Sequence, residues 1–186
     1  MNSTPAARTK KTENPTAPYP AGIVTHTTVV VAGEQQTDIA VHAVKTPQAR
    51  MTVAIGFLMM EFASAETARR ILEAFSAVRA AMMGLDNLAP LPAPKGAEFA
   101  HNTLAVMWRY PPDYAVVRGK RYSAAERRTI CWVDLHMGPV TWRIADHTGY
   151  AALLEVLRTA HKTAVVTFLD GPKFRADPTK VDAFGE

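Results

Sequence analysis

The sequence predicts an α+β domain in which a ββββα unit occurs twice, with an antiparallel sheet and two helices packed on one of its faces. Three observations indicate this class: a hydrophobic alternation that changes phase at a glycine, an amphipathic helix directly after it, and the return of both later in the chain. The half-repeats are expected at about 22–84 and 101–162, related by a pseudo-two-fold, within one domain over 22–169.

The phase change lies in the stretch RMTVAIGFLMMEF, residues 50–62. Apolar residues occupy odd positions up to Ile55 and even positions from Leu58 onward, which is the pattern that a two-residue turn at Gly56-Phe57 produces. Glycine in the first turn position suits a type II′ turn, because φ is positive there. We therefore predict a hairpin in which Ile55 lies opposite Leu58 and one face is apolar.

The second hairpin is expected in TICWVDLHMGPVTWRIAD, residues 129–146, with its turn at Gly138-Pro139. Apolar side chains again share one face of the hairpin. The other face carries Trp132, Asp134, His136, Thr141 and Arg143. Because the turn places Asp134 opposite Arg143, we predict a cross-strand ion pair between them.

Each hairpin is followed by a helix with a defined start. Ser64 is the expected N-cap of the first helix, and Asp146 or Thr148 that of the second, because these side chains accept hydrogen bonds from first-turn N–H groups. Apolar residues recur at intervals of three and four after each cap. Residues 163–169, TAVVTFL, are rich in β-branched side chains and predict a last strand.

Three segments outside these elements are expected to be irregular. Residues 1–21 are rich in Thr, Pro, Ala and Lys and show no hydrophobic periodicity, which predicts a disordered tail. Residues 85–100 form a Pro-rich linker between the half-repeats, and residues 170–186 form a C-terminal tail. The 186 residues are therefore interpreted as one domain with two tails.

Composition and motifs restrict the class of function. Cys131 is the single cysteine, so the chain cannot form an internal disulfide, and we expect a reducing, cytoplasmic setting. No stretch approaches the roughly 18 consecutive apolar residues of a membrane helix, so we expect no membrane partner. Phosphate-binding glycine loops, dinucleotide fingerprints and paired-histidine or paired-cysteine motifs are missing from the sequence, which predicts no cofactor and favours a binding protein over an enzyme.

The basic charge of the chain is concentrated in one segment. The formal net charge is +4, and residues 118–128, RGKRYSAAERR, carry five cationic side chains against Glu126. Such a local excess favours a polyanionic partner, above all nucleic acid, although a solvated loop would have the same composition. Within the segment, YSAAERR predicts a short helical turn capped by Ser123.

We therefore expect nucleic acid to bind at the basic segment and at the polar face of the second hairpin. In this interpretation the cationic side chains contact phosphates, and Trp132 stacks on unstacked bases. The expected binding residues are Arg118, Lys120, Arg121, Arg127, Arg128, Trp132 and Arg143.

Two alternatives belong to other classes of function. A self-associating or partner-docking protein, for instance a homo-oligomer, would use the weakly charged outer face of the first hairpin, which carries Thr52, Ala54, Met59 and Glu61. An enzyme or metal site would use Asp134 and His136, which share one face of a strand with Arg143 nearby. The second alternative competes with the ion pair predicted for Asp134.

Overall fold

The computed structural model describes residues 24–83 and 104–180. The first unit comprises strands β1 (Thr27–Val31), β2 (Thr37–His42), β3 (Arg50–Ile55) and β4 (Leu58–Phe62) and helix α1 (Ala65–Met82). The second comprises strands β5 (Leu104–Trp108), β6 (Tyr114–Ser123), β7 (Arg128–Met137) and β8 (Val140–Ile144) and helix α2 (His147–Thr167). The predicted α+β class and the repeated ββββα order are confirmed, whereas the expected tail 1–21 and linker 85–100 lie outside the described residues.

The strands form two four-stranded sheets rather than one antiparallel sheet. Sheet A has the strand order β1-β8-β7-β6, and sheet B has the order β2-β3-β4-β5. In each sheet the first strand of one unit pairs in parallel with the last strand of the other: Thr27 of β1 lies beside Val140, and Leu104 of β5 lies beside Leu58. The two units therefore exchange their first strands, in equivalent registers.

The two tight hairpins have the predicted turns and registers. Gly56 and Gly138 both have a φ of 55°, the left-handed value that the first position of these turns requires. Ile55 lies opposite Leu58 in the first hairpin, and Met137 lies opposite Val140 in the second. The phase change in the sequence was thus a correct guide to the pairing.

The core lies between the helices and the inner faces of the two sheets. Phe75 of α1 packs edge-on against Trp142 of β8 with ring centroids 5.2 Å apart, and the Tyr150 hydroxyl of α2 donates to the Phe75 carbonyl at 3.0 Å. The largest fully buried side chains come from both units: Trp142, Phe62, Phe75, Met51, Met60, Ile71, Leu72, Ile130, Leu135, Met137, Ile144 and Leu153. The helices therefore join the two units in one core, and the outer faces of the sheets are left for other contacts.

Both helices begin with the predicted cap, and each cap is reinforced by a distant part of the chain. Ser64 accepts from the Thr67 N–H at 3.2 Å, and Asp170 accepts from the N–H groups of Ala65 and Glu66, both at 3.1 Å. Asp146 caps α2 and also accepts from the Gly33 N–H at 3.0 Å. The start of the expected C-terminal tail is therefore part of the folded domain.

The strand predicted over 163–169 is wrong, because α2 continues to Thr167 and ends at Phe168. Ala164 and Thr167 are buried on the same side of the helix as Leu157. Packing of this stripe outweighs the modest strand preference of β-branched residues. None of the described helices combines the length and apolarity needed to cross a lipid bilayer.

Candidate functional site

The outer face of sheet A carries a closed polar network. Asp134 of β7 and Arg143 of β8 are direct cross-strand neighbours, and the Arg143 Nε and Nη2 atoms donate to the Asp134 carboxylate at 2.8 and 2.9 Å. Trp132 Nε1 donates to the same carboxylate at 2.9 Å. The predicted ion pair is confirmed, and the network also restrains the indole of Trp132.

Trp132 lies flat across the neighbouring strand. A Cβ atom placed on Gly119 would come within 2.2 Å of the Trp132 ring, so only glycine leaves room for the indole there. The Arg143 guanidinium lies over the same ring, 4.8 Å from its centroid. Trp132 is therefore half-buried, and Arg143 adds a second planar layer to the stack. The glycine in the basic segment was the sequence signal for this close approach.

Asp134 is ionised well into the acid range because of its partners. Burial acts to raise the pKa of Asp134, but hydrogen bonds from Arg143 and Trp132, together with the Arg143 charge, outweigh it and lower that pKa. The same hydrogen bond raises the pKa of Arg143. Arg143 and Asp134 thus form an ion pair at neutral pH and largely cancel each other's charge.

We expect replacement of the Asp134 carboxylate to make the free energy of unfolding less dependent on pH in the acid range. A folded-state pKa below the unfolded value of about 3.9 stabilises the fold above that pH, and the contribution disappears as the pH falls through the folded value. We expect Asp134→Asn to lower the free energy of unfolding by about 2 kcal/mol at pH 7. Thermal melts at pH 7, 5 and 3 measure this. The difference from wild type should shrink below about pH 4, and a constant difference would contradict the assignment.

Asp134 and His136, the residues of the alternative enzyme or metal site, are each hydrogen-bonded to other side chains of the sheet. His136 Nδ1 and the Thr141 hydroxyl form a hydrogen bond at 2.8 Å, and Asp134 accepts hydrogen bonds from Arg143 and Trp132. Within residues 24–83 and 104–180, no group of three His, Cys, Asp or Glu side chains could hold a metal ion. Both side chains are thus accounted for as parts of the sheet surface.

The basic segment forms a projecting ribbon instead of a loop with a helical turn. Strand β8 pairs with β7 only from Val133 onward, whereas β6 and β7 pair with each other out to Ser123 and Arg128. Residues 119–132 are therefore a two-stranded ribbon beyond the four-stranded part of sheet A, and we call them the arm. Ser123 accepts from the Glu126 N–H at 3.3 Å, so it stabilises the hairpin loop of the arm.

The five cationic residues predicted in this segment divide into two groups. Arg118 donates to the Ala80 and Met83 carbonyls at 3.2 Å and so caps the C-terminal end of α1, while Arg128 pairs with Glu126 at 2.5 Å. The other three are exposed, and among the described residues they make no side-chain hydrogen bond or ion pair: Lys120, Arg121 and Arg127. The structure thus leaves three cations of the arm available to a partner.

The equivalent loop of the first unit, between β2 and β3, contacts the C-terminal end of α2. Lys45, between β2 and β3, donates to the Val165 and Phe168 carbonyls at 3.2 and 2.9 Å, which caps the C-terminal end of α2. Arg118 performs the corresponding task for α1, yet the second unit extends further into the arm. The arm is therefore an extension of the second unit that the first unit lacks.

A groove between the two helices was not foreseen from the sequence. It lies between the C-terminal end of α1 and the N-terminal half of α2, and Met82, Tyr150, Leu154 and Arg158 are among its lining residues. The Tyr150 hydroxyl is already bonded to a carbonyl of α1, and Arg158 pairs with Glu155. The Tyr150 hydroxyl thus serves the packing of the two helices, and Arg158 is paired within α2.

Comparisons of the chain with protein-family models, with curated proteins and with solved structures found no match. The class of the protein is therefore described by its fold and its candidate site alone. It is an α+β protein of two strand-exchanged ββββα units, with a basic arm on one sheet and a planar Trp–Arg stack at the base of that arm.

Proposed function

We propose that the protein binds nucleic acid through the arm and the adjoining outer face of sheet A. The observation that carries this proposal is the exposure of Lys120, Arg121 and Arg127 on a ribbon that the other half-repeat lacks. An extended ribbon that collects exposed cations favours a polyanionic ligand.

The arrangement of the cations suits a phosphate backbone. Lys120 lies opposite Cys131 and Arg121 lies opposite Ile130, so the two side chains leave opposite faces of the ribbon. Arg127 occupies the tip with a φ of 53°, a left-handed conformation that glycine or asparagine adopts more cheaply. The cations therefore lie on both faces and at the tip of the arm.

Removing these charges is expected to weaken binding steeply. If each of the three side chains contacts one phosphate, Lys120→Ala/Arg121→Ala/Arg127→Ala should lower affinity by roughly a hundredfold at 0.1 M salt and reduce the salt slope by about 2. Fluorescence anisotropy with labelled oligonucleotides at two salt concentrations measures both quantities.

A matched control removes the same charge elsewhere. Lys162, Arg175 and Lys180 are exposed on the α2 side of the molecule, and none forms an ion pair among the described residues. Their triple alanine variant should change affinity by less than about threefold, because long-range charge is screened at this salt concentration. Equal losses in the two variants, or no binding by wild type at low salt, would contradict the proposal.

A second candidate function is self-association through the outer face of sheet B. Met59 and Met107 are exposed there, whereas the corresponding face of sheet A carries the polar network. An exposed apolar sheet face of this kind is typical of a protein–protein contact. Light scattering over a range of concentrations tests this candidate, and Met107→Glu should shift any oligomer toward the monomer.

A further inference from the structure

We infer that the nucleic acid is single-stranded and that its bases pack on the outer face of sheet A while its phosphates follow the arm. This inference rests on the proposed function. It concerns the surface of sheet A beside the arm. Within a few residues the side chains there change from cationic ones to planar and aliphatic ones.

The face beside the arm carries no free cation among the described residues. The charge of Arg143 is held by Asp134, whose side chain is only 14% exposed. The neighbouring outward side chains are aliphatic: Val30 beside Arg143 and Val117 beside Asp134 are 47% and 50% exposed. A duplex presents phosphates along its whole outer surface and would find no partner on this face.

Unstacked bases match this surface better. The guanidinium of Arg143 lies over the Trp132 ring, and 31% of the Arg143 side chain is exposed to solvent. Bases of single strands stack on aromatic rings and on arginine guanidinium planes. Val30 and Val117 flank the stack on the two sides, on β1 and β6 respectively.

The arm and the stack are close enough to act on neighbouring nucleotides. Arg121 and Gly119 are two residues apart on the same face of β6, which is about 7 Å, and the Trp132 ring covers Gly119. A phosphate contact at Arg121 therefore lies next to a base contact at the Trp132–Arg143 stack. One strand running from the arm onto the sheet would make both.

The test compares three ligands of the same length and label: a 15-nucleotide oligothymidine, the corresponding duplex, and an abasic oligonucleotide that keeps the phosphates. Wild type should bind oligothymidine at least tenfold more tightly than the other two, because only that ligand offers unpaired bases for stacking. An oligouridine of the same length extends the comparison to RNA.

A pair of variants isolates the sheet face. Val30 of β1 and Val166 of α2 are residues of the same type, and they are 47% and 62% exposed. Val30→Glu should lower the affinity for oligothymidine about tenfold and leave the abasic ligand within twofold, whereas Val166→Glu should change neither by more than twofold. Val117→Glu is the second variant on the same face, should Val30→Glu fold poorly.

The outcomes separate this inference from the proposed function. Equal affinity for the three ligands, with Val30→Glu and Val117→Glu behaving like Val166→Glu, would overturn base contact and leave nucleic-acid binding by the arm intact. No binding of any ligand would overturn both. Quenching of tryptophan fluorescence by oligothymidine but not by the abasic ligand would support the inference further, because Trp108 and Trp142 are buried.

Discussion

Residues 24–83 expressed without the second unit should fail to fold as a monomer. In the intact chain β1 pairs with β8, and β4 pairs with β5. The first unit alone therefore lacks the pairing partner of β1 and one of the two partners of β4. It also loses the Phe75–Trp142 contact in the shared core. A monomeric fragment with a cooperative thermal transition would contradict this reasoning.

The same symmetry predicts how the fragment could recover structure. Strand β5 lies on β4 in the register in which β1 lies on β8, so β1 of a second copy can take the place of β5. We expect a fragment dimer at high concentration, detected by light scattering together with a melt whose midpoint depends on concentration. As a control, a full chain cut within residues 84–103 should keep its two parts together and melt near the intact protein.

Gly171→Ala should be among the most destabilising single substitutions in the domain. A Cβ on Gly171 would lie 1.9 Å from the Val165 carbonyl oxygen, and a backbone atom cannot move aside as a flexible side chain does. Gly171 opens the 3₁₀ turn Gly171–Phe174, directly after the Asp170 carboxylate that caps α1. The shift needed to relieve the clash would therefore disturb that cap as well.

We expect this substitution to lower the free energy of unfolding by about 3 kcal/mol and the melting temperature by about 6–12 °C. Gly138→Ala is the matched control: its Cβ would meet no atom within 4 Å, and only its φ of 55° is unfavourable. The control should cost about 1 kcal/mol. Denaturant unfolding compares the two, and similar losses would show that the close approach at Gly171 is relaxed in solution.

Local features of this fold were readable from the sequence. The phase change at Gly56 predicted the first hairpin, and the caps at Ser64 and Asp146 predicted both helix starts, because turns and caps depend on residues close together in the chain. The ion pair between Asp134 and Arg143 followed from the hairpin register alone.

The candidate site was only partly readable. The sequence placed the cations of the arm and the polar face of β7 next to each other, but it could not show that Arg118 caps α1 while Lys120 remains exposed. Nor could it show that Trp132 lies flat on Gly119, since that contact joins two strands and needs the actual register.

The amino-acid sequence by itself determines the set of elements: two ββββα units, their turns and their apolar stripes. The tertiary structure decides which of these elements pair and pack with one another. The exchange of β1 and β5 and the helical end of α2 at Thr167 both result from burial against residues far away in the sequence. Alternation and propensity describe one strand or helix at a time, whereas pairing between distant strands depends on packing over the whole core.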